Sequence, residues 1–406
     1  MLLRADPPVH LTYCTNIHPA DGWAAIDATL RRIAPALKAR ISPEAPFGLG
    51  LRLGARDARE LLEGQCLAEF RSFLDAEGLY VALINGFPYG PFHGEPVKTN
   101  VYAPDWRSDA RVDYTFDLMA ILTALVPDGM AGGISTTPLS YKAWLPSPTD
   151  ADWEALTRNI VRVAERLVRI RQETGRWLHL DIEPEPDCLL ETSDETVEFF
   201  ERWLHPAGSL ELARRLGVGR ERALQDLQEH IQVCFDVCHC GVEYEDPAVA
   251  LARLRDAHIR IGRVQLSSAL NVKFSNHPGE AEALEARLHA FADSTYLHQV
   301  VEKNGAEVRR FSDLEVALRS GGEPAGREWR IHFHVPLFTA EYEGLGSTQD
   351  EVRRVLREVR RGDVTGHLEI ETYTWSVLPP GLKMEITDSI AREYRWVIDQ
   401  FTADGR

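Results

Sequence analysis

Short apolar runs alternate with longer amphipathic segments along most of this 406-residue chain, and this alternation constrains the fold more than any other feature. The apolar runs are flanked by glycine and proline, as β-strands commonly are. The segments between them carry apolar residues at helical spacing, and Leu156, Ile160 and Val163 share one face of a helix predicted over Asp152–Gln172. Further helices are predicted over Pro247–His258, Glu280–Ala292, Thr348–Arg361 and Asp388–Phe401, and Thr192–Glu195 has the spacing of a capping box. Repeated alternation requires parallel strands joined by crossover helices, so the sequence predicts an α/β fold.

Nine strands are predicted, one more than a TIM (β/α)8 barrel contains. They cover Leu11–Ile17, Gly48–Leu53, Leu79–Ile84, Gly133–Thr136, Trp177–Ile182, Ile231–Val237, Gly262–Ser267, Trp329–Val335 and His367–Thr372. Asn304-Gly305 between two alternating runs is a hairpin signal, so we expect an insertion at about residues 270–330, between the seventh and eighth barrel strands. The extra strand is then a neighbour of this insertion, with Trp329–Val335 as the candidate. Barrels with insertions reach this length, and we predict one domain over residues 1–406.

Charge and composition narrow the classes of partner. The net charge is −17, which disfavours nucleic acid and anionic lipid surfaces as partners. The N-terminus lacks the pattern of a signal peptide, and no stretch approaches the roughly 18 apolar residues of a membrane span. The six cysteines are not spaced as a disulfide framework. We therefore expect a cytoplasmic protein that does not insert into the membrane, with a small-molecule metabolite as its partner.

Five predicted strands place polar residues on one face and apolar residues on the other. The polar sets are His179, Asp181 and Glu183; Cys234, Asp236 and Cys238; Arg263, Gln265 and Ser267; His332 and His334; and His367, Glu369 and Glu371. A surface sheet with one face in water would show the same pattern. In a barrel, however, the outward face must be apolar to pack against helices, so the polar sets point inward. Acids and histidines at strand ends are the expected layout of a barrel active site.

Four of these strand ends resemble motifs of the xylose-isomerase-like superfamily, which includes sugar epimerases and endonuclease IV. Phe235–His239 resembles its Asp-x-x-His motif, and His179–Pro184 looks like its strand with a glutamate that binds metal and often acts as catalytic base. Val264–Ser267 stands where the superfamily usually has a histidine ligand. Glu369–Thr372 looks like its last strand, whose glutamate bridges metal and substrate. The order of the motifs matches over roughly residues 177–375.

A closer resemblance covers nearly the whole chain. Its segments are Leu11–Pro19, Asn85–Gly94, Glu183–Thr192, His332–Leu337 and Glu371–Trp375. They look like EboE-type metabolite traffic proteins, a family encoded in bacterial gene clusters linked to the export of secondary metabolites. The resemblance implies a cellular context, with a membrane-protein partner from the same cluster, and it implies no particular reaction.

The resemblance implies a divalent cation, Mn, Mg or Zn, as cofactor. The implied ligands are Glu183, Asp236, Gln265 and Glu371, with His239 or His334 nearby. Gln265 departs from the superfamily pattern, because an amide oxygen is a weaker ligand than imidazole; either the site shifts towards Mg or Mn, or His334 supplies the nitrogen. A zinc site at Cys238-His239-Cys240 is disfavoured, because adjacent residues of a strand cannot all face one ion.

Four residues are candidates for substrate binding, and each has a structural alternative. His332 either contacts the substrate or forms a hydrogen-bonded interior pair with His334. Lys142 binds an anionic group or is a solvated loop lysine. Phe87 and Trp375 follow strand ends and either stack on the substrate or pack in the interior.

Three functions remain open. The first is an isomerase or epimerase of a polyhydroxylated carbonyl compound, in which Glu183 and Glu371 exchange a proton with the substrate carbon beside the cation. The second is a metabolite carrier or chaperone of the export system without turnover. The third is an abasic-site endonuclease, suggested by Asp236-x-x-His239 and His332-x-His334, against which the negative charge argues.

Overall fold

The computed structural model describes residues 1–92, 97–275, 277–289, 291–292, 296–320, 326–362, 364–374 and 384–403. The strands are β1 Leu2–Ala5, β2 Pro8–Tyr13, β3 Phe47–Arg52, β4 Leu79–Asn85, β5 Gly132–Thr136, β6 Leu178–Ile182, β7 Ile231–Asp236, β8 Ile261–Leu266, β9 Leu270–Lys273, β10 Val300–Asn304, β11 Glu307–Phe311, β12 Arg327–Ile331, β13 Glu341–Tyr342, β14 Leu345–Ser347 and β15 His367–Ile370. The helices are α1 Trp23–Ile41, α2 Ala55–Leu62, α3 Cys66–Glu77, α4 Asp109–Leu125, α5 Asp150–Thr174, α6 Ser193–Phe199, α7 Ser209–Leu216, α8 Arg220–His230, α9 Val237–Val242, α10 Pro247–Asp256, α11 Pro278–Leu288, α12 Leu314–Ser320, α13 Gln349–Arg361 and α14 Ile386–Thr402, with a π-helix at Phe200–Gly208.

One sheet of nine strands forms the centre of the molecule. Its order is β1-β2-β15-β8-β7-β6-β5-β4-β3, and the eight strands from β2 to β3 are parallel. The sheet curls, because Cys14 after β2 forms a parallel bridge with Gly50 of β3, at the opposite end of the strand order. The carboxyl ends of the parallel strands therefore face one common mouth. The prediction of an α/β fold is confirmed.

The chain between β8 and β15 forms a second sheet of order β11-β10-β12-β9-β14-β13. Asn304 and Gly305 make the turn between β10 and β11, and Gly305 adopts a φ of +61°. The predicted strand Trp329–Val335 is placed here, as β12, and it ends earlier than predicted. Phe333 N–H donates to the carbonyl of Ile331, two residues back, and this tight turn ends the ladder. His332 and His334 were therefore wrongly placed on a strand; they lie on the segment that follows it.

Helices cover the outer face of the parallel sheet. The predicted face of α5 is confirmed, since Leu156, Ile160 and Val163 are all fully buried. The capping box before α6 is also present, with Thr192 and Glu195 exchanging side-chain to backbone hydrogen bonds. Within the described residues, no helix combines the length and the apolar character that crossing a membrane needs.

The interior of the curled sheet holds a buried ion network. Arg263 of β8 has no exposed surface; it pairs with Asp181 at 3.1 Å and Glu369 at 3.0 Å, and it donates to the carbonyl of Ile84. Three glycines make room for these side chains. A Cβ on Gly50 would lie 1.6 Å from Glu369 Oε1, and one on Gly262 would lie 1.9 Å from Asp181 Oδ1. The third, Gly133, would place a Cβ 2.5 Å from Asp181 Oδ2.

We expect Gly50→Ala to destabilise the fold by about 3 kcal/mol, because the added methyl group would displace Glu369 from Arg263. Gly279→Ala is the matched control: a Cβ there meets nothing within 4 Å, and the free energy of unfolding should change by less than about 0.5 kcal/mol. Guanidinium denaturation of both variants measures the difference. Equal stabilities would show that the ion network tolerates displacement.

A second buried carboxyl group, Glu393 on α14, anchors loops beside the mouth. Its Oε1 accepts hydrogen bonds from Leu337 N–H at 3.1 Å and from the Thr372 hydroxyl at 2.7 Å. Burial raises the pKa of Glu393 from 4.5 to about 7. A raised carboxyl pKa means that folding disfavours the ionised form. The associated stability is complete below pH 4.5 and is lost as the pH rises through about 7.

Glu393→Gln keeps the accepting oxygen and removes the charge. We therefore expect the variant to be more stable than the native protein at pH 8, by on the order of 3 kcal/mol, and to match it within about 1 kcal/mol at pH 5. Thermal unfolding measured at both pH values tests this. A stability difference that does not depend on pH would contradict the raised pKa.

Candidate metal centre

Three carboxylates from separate strands meet at the mouth of the parallel sheet. Glu183 follows β6, Asp236 ends β7 and Glu371 follows β15. One oxygen from each lies within 4.8 Å of the other two, and all three side chains are buried. The parallel order brings them together, because the carboxyl ends of these strands share one edge.

Hydrogen bonds fix one oxygen of Glu371 and one oxygen of Asp236, whereas other carboxylate oxygens of the group accept none from the described residues. Glu371 Oε1 accepts from the amides of Asn16 at 2.9 Å and Asn85 at 3.0 Å. Asp236 Oδ1 accepts from Ser267 Oγ at 2.7 Å and from His239 N–H at 3.0 Å. In the part of the chain that the structure describes, nothing donates a hydrogen bond to Asp236 Oδ2 or to Glu183 Oε2. These two buried oxygens are suited to a cation.

His334 presents a nitrogen to the same group. Its Nδ1 donates to the carbonyl of Glu371 at 2.8 Å, which leaves the lone pair on Nε2. Nε2 lies 4.0 Å from Asp236 Oδ2 and has no hydrogen-bond partner among the described residues. Gln265 is turned differently, since its Oε1 accepts from the Cys234 thiol at 3.0 Å. A ligand role for Gln265 stays a prediction. His334 offers an imidazole nitrogen, which the amide of Gln265 cannot supply.

Without a cation, the ionised forms of the carboxyl groups and of the imidazole in this group are disfavoured. Burial and the neighbouring carboxylates Glu371 and Asp236 raise the pKa of Glu183 well above its usual range. Burial and Asp236 do the same to the pKa of Glu371. Burial lowers the pKa of His334 to about 4, so the ring is neutral and able to bind metal. Three acids and a neutral imidazole fit a divalent cation, which would compensate the carboxylates.

A second group of side chains lies beside the carboxylates. His239 Nδ1 lies 2.9 Å from the carbonyl of Pro184, and His332 Nδ1 lies 2.7 Å from Gln299 Oε1. The Nε2 atoms of the two rings are 3.1 Å apart. Glu185 completes the group, with one oxygen within 4.8 Å of both histidines. The structural alternative for His332 was a hydrogen-bonded pair with His334, but the Nε2 of His332 faces His239 instead.

These groups line one cavity together with several aromatic side chains. Its empty space, including the part open to solvent, is about 540 Å³. Acids and histidines occupy its polar part. The remaining side chains that line it are largely apolar or aromatic and include Phe87, Phe92, Val97, Val101, Tyr102, Tyr296, Leu297 and Tyr373.

The predicted substrate-binding residues have different locations. Phe87 and His332 line the cavity. Lys142 does not; it pairs with Glu191 at 2.6 Å and Glu195 at 3.3 Å. Among the described residues that line the cavity, the lysine is Lys98, which pairs with Asp313 at 2.7 Å. The prediction for Trp375 lies outside the described residues.

Several residues of the centre were not expected from the sequence. The side chain of Asn85 holds Glu371 through a hydrogen bond. Asn16 and Glu185 had no assigned role. The signal available for all three is position, because Asn85 ends β4, Asn16 follows β2 and Glu185 follows β6, where the strands reach the mouth.

Comparison with solved structures supports the fold. A xylose isomerase-like TIM barrel protein from Mycobacterium smegmatis in complex with magnesium aligns over 97% of this chain and 96% of its own, at 10% identity and a TM-score of 0.51. A protein named IolI with a bound zinc atom covers 97% and 98% at 10% identity and a TM-score of 0.43. D-psicose 3-epimerase with D-fructose covers 96% and 96% at 12% identity and a TM-score of 0.45. No protein-family model matches this chain. No curated protein matches it either.

These likenesses concern the fold alone. The first of them shows that the curled parallel sheet and its helices have the arrangement of a xylose isomerase-like TIM barrel. The resemblance to EboE-type proteins is not confirmed by these comparisons and stays a prediction. The assignment of individual site residues rests on the geometry described above.

We expect a divalent cation such as Mn²⁺ to raise the melting temperature of the chelator-treated protein by several degrees, because it would neutralise buried carboxylates. Asp236→Asn should abolish this shift, since it removes the charge and leaves an amide. Glu393→Gln removes a buried carboxyl group outside the centre and should preserve the shift. Differential scanning calorimetry with and without the ion measures it; an unchanged shift in Asp236→Asn would contradict the ligand set.

Proposed function

We propose that the protein is a metal-dependent isomerase or epimerase of a hydroxylated carbonyl compound. The observation that carries this proposal is the meeting of Glu183 and Glu371 beside Asp236, with Glu183 Oε2 lacking a hydrogen-bond partner among the described residues. The two glutamates come from β6 and β15, which β7 and β8 separate in the sheet. They therefore approach the cavity from different directions, as groups on two faces of a substrate must.

The residues of the centre supply binding and proton transfer. A cation on Glu183, Asp236, Glu371 and His334 would act as a Lewis acid towards a substrate carbonyl. Glu183 presents an oxygen that can remove a proton from the adjacent carbon. Burial raises its pKa above the ordinary carboxyl range, and a carboxylate with a higher pKa is a stronger base. Glu371, positioned by Asn16 and Asn85, would return a proton to the carbon.

The cavity walls suggest how the substrate is held. Acids and imidazoles at the polar end accept hydrogen bonds from hydroxyl groups. Phe87 and Tyr102, whose ring centroids lie 6.0 Å apart, offer an apolar surface to the less polar part of the substrate. The position of Lys142 among acids does not support its proposed contact with an anionic substrate group.

The wider context follows from the resemblance to EboE-type proteins. We infer a cytoplasmic, single-domain protein with a barrel and an inserted hairpin. It acts on a metabolite destined for export, with a membrane-protein partner from the same gene cluster. Carriage of the metabolite without turnover is the alternative that the same resemblance permits.

Glu183→Gln and Glu371→Gln should each reduce turnover by at least about 100-fold while folding is retained, because an amide cannot exchange the proton. The measurement is exchange of substrate C–H hydrogen for deuterium in D₂O, followed by NMR over a panel of ketoses and cyclic polyhydroxylated ketones. Glu393→Gln is the control and should exchange at the native rate. A fully active Glu183→Gln protein would refute the assignment, and saturable binding without exchange in the native protein would favour the carrier.

A further inference from the structure

We propose that the cavity holds a second cation, a transition-metal ion bound by the Nε2 atoms of His239 and His332 with Glu185 as a third ligand. This site lies beside the group formed by Glu183, Asp236 and Glu371. Binding of this second ion does not depend on whether the protein has the proposed isomerase activity.

The hydrogen-bond partner of His239 determines which nitrogen carries its proton. His239 Nδ1 lies 2.9 Å from the main-chain carbonyl of Pro184. A carbonyl oxygen can only accept, so Nδ1 must be the donor. In the neutral ring, Nε2 then carries a lone pair.

The same reasoning applies to His332 through one further residue. His332 Nδ1 lies 2.7 Å from Gln299 Oε1. The other end of that amide, Nε2, lies 3.1 Å from the carbonyl of Pro186 and 2.9 Å from the Tyr102 hydroxyl. Because the Pro186 carbonyl only accepts, the amide nitrogen must face it and Oε1 must face His332. His332 Nδ1 therefore donates, and its Nε2 also carries a lone pair.

Two lone pairs thus face each other across 3.1 Å. Two acceptors at this distance repel unless a cation lies between them. Two imidazole nitrogens bound to one zinc-like ion, each at about 2.0–2.1 Å, are separated by roughly 3–3.4 Å. The observed spacing fits such a pair of ligands. The rings meet edge to face, with an interplanar angle of 82°, so each presents its nitrogen without stacking on the other.

A bridging proton is the competing explanation for the short distance. It would place a positive charge on one of the two rings. Both rings are buried, and a positive charge taken out of water without direct pairing is costly. A metal ion avoids this cost because it binds the neutral rings and brings its own charge to the nearby acids.

Glu185 supplies the negative charge that such an ion needs. One of its oxygens lies within 4.8 Å of one ring nitrogen each of His239 and His332, and its Oε1 lies 3.5 Å from His332 Nδ1. The Tyr102 hydroxyl donates to Glu185 Oε1 at 2.8 Å, which orients the carboxylate in the manner typical of metal ligands. Two imidazoles and one carboxylate favour zinc, cobalt or manganese over magnesium or calcium.

The two cation groups adjoin each other. Asp236, His239 and His334 also bring one ligand atom each within 4.8 Å of the others, so this set connects the carboxylates with the histidine pair. Asp236 Oδ2 and His334 Nε2 have no hydrogen-bond partner within the described ranges. The cavity therefore has enough donor atoms for two ions side by side.

The test is the number of ions bound per chain. The full-length protein is stripped with chelator, dialysed against Zn²⁺ and measured by elemental analysis, and a parallel Co²⁺ titration is followed by visible absorption. We expect two ions in the native protein and one in His332→Asn, which keeps a donor towards Gln299 but lacks Nε2. One ion in the saturated native protein, or two in His332→Asn, would overturn the proposal.

His230→Asn is the matched control. His230 is also buried and its Nδ1 also meets a main-chain carbonyl, that of Leu178, at the opposite ends of the strands. This variant should keep two ions. If His332→Asn does not fold, anomalous diffraction at the zinc edge on native crystals decides the question. Two peaks, one between His239 and His332, would support the proposal, and a single peak at the carboxylates would refute it.

Discussion

Burial of Arg263 inside the curled sheet is the interaction on which the rest of the structure depends. Its guanidinium joins Asp181 and Glu369 with no exposed surface, and breaking such a buried pair costs about 3–5 kcal/mol. Glycines on three strands leave room for these two carboxylates. The same positive charge lies below the mouth and lowers the pKa values of Glu183 and Glu371, partly offsetting the effect of burial. A fold that gathers so many acids in one interior requires this permanent cation.

The polar centre is built by two different sheets. The parallel sheet contributes Glu183, Asp236 and Glu371, whereas the chain after β12 contributes His332 and His334. Each of these histidines has its Nδ1 held by an oxygen acceptor, so its Nε2 is directed to the cavity. The second sheet is thus part of the site: without it the carboxylates would face a cavity lacking two of its three imidazoles.

Orientation by neighbouring groups distinguishes this centre from a chance gathering of acids. Asn16 and Asn85 hold one oxygen of Glu371, and Ser267 holds one oxygen of Asp236. Each bond removes a rotamer choice before any ion or substrate arrives, which reduces the entropy lost on binding. Aromatic rings also line the cavity, and low polarity strengthens the electrostatic interactions inside it.

The sequence by itself determined the α/β class and the approximate positions of the parallel strands, and it predicted the three carboxylates that meet at the mouth, because periodicity and alternation are local properties of the chain. Tertiary structure decided how the strand ends meet. It turned Gln265 towards Cys234, removed Lys142 from the cavity and brought His332 against His239. Asn16 and Asn85 acquired a role only because β2 and β4 end at the same mouth as β15. The hydrogen bonds from Asn16 and Asn85 to Glu371 join residues 355 and 286 positions apart, and only the closure of the sheet brings their atoms within hydrogen-bond distance.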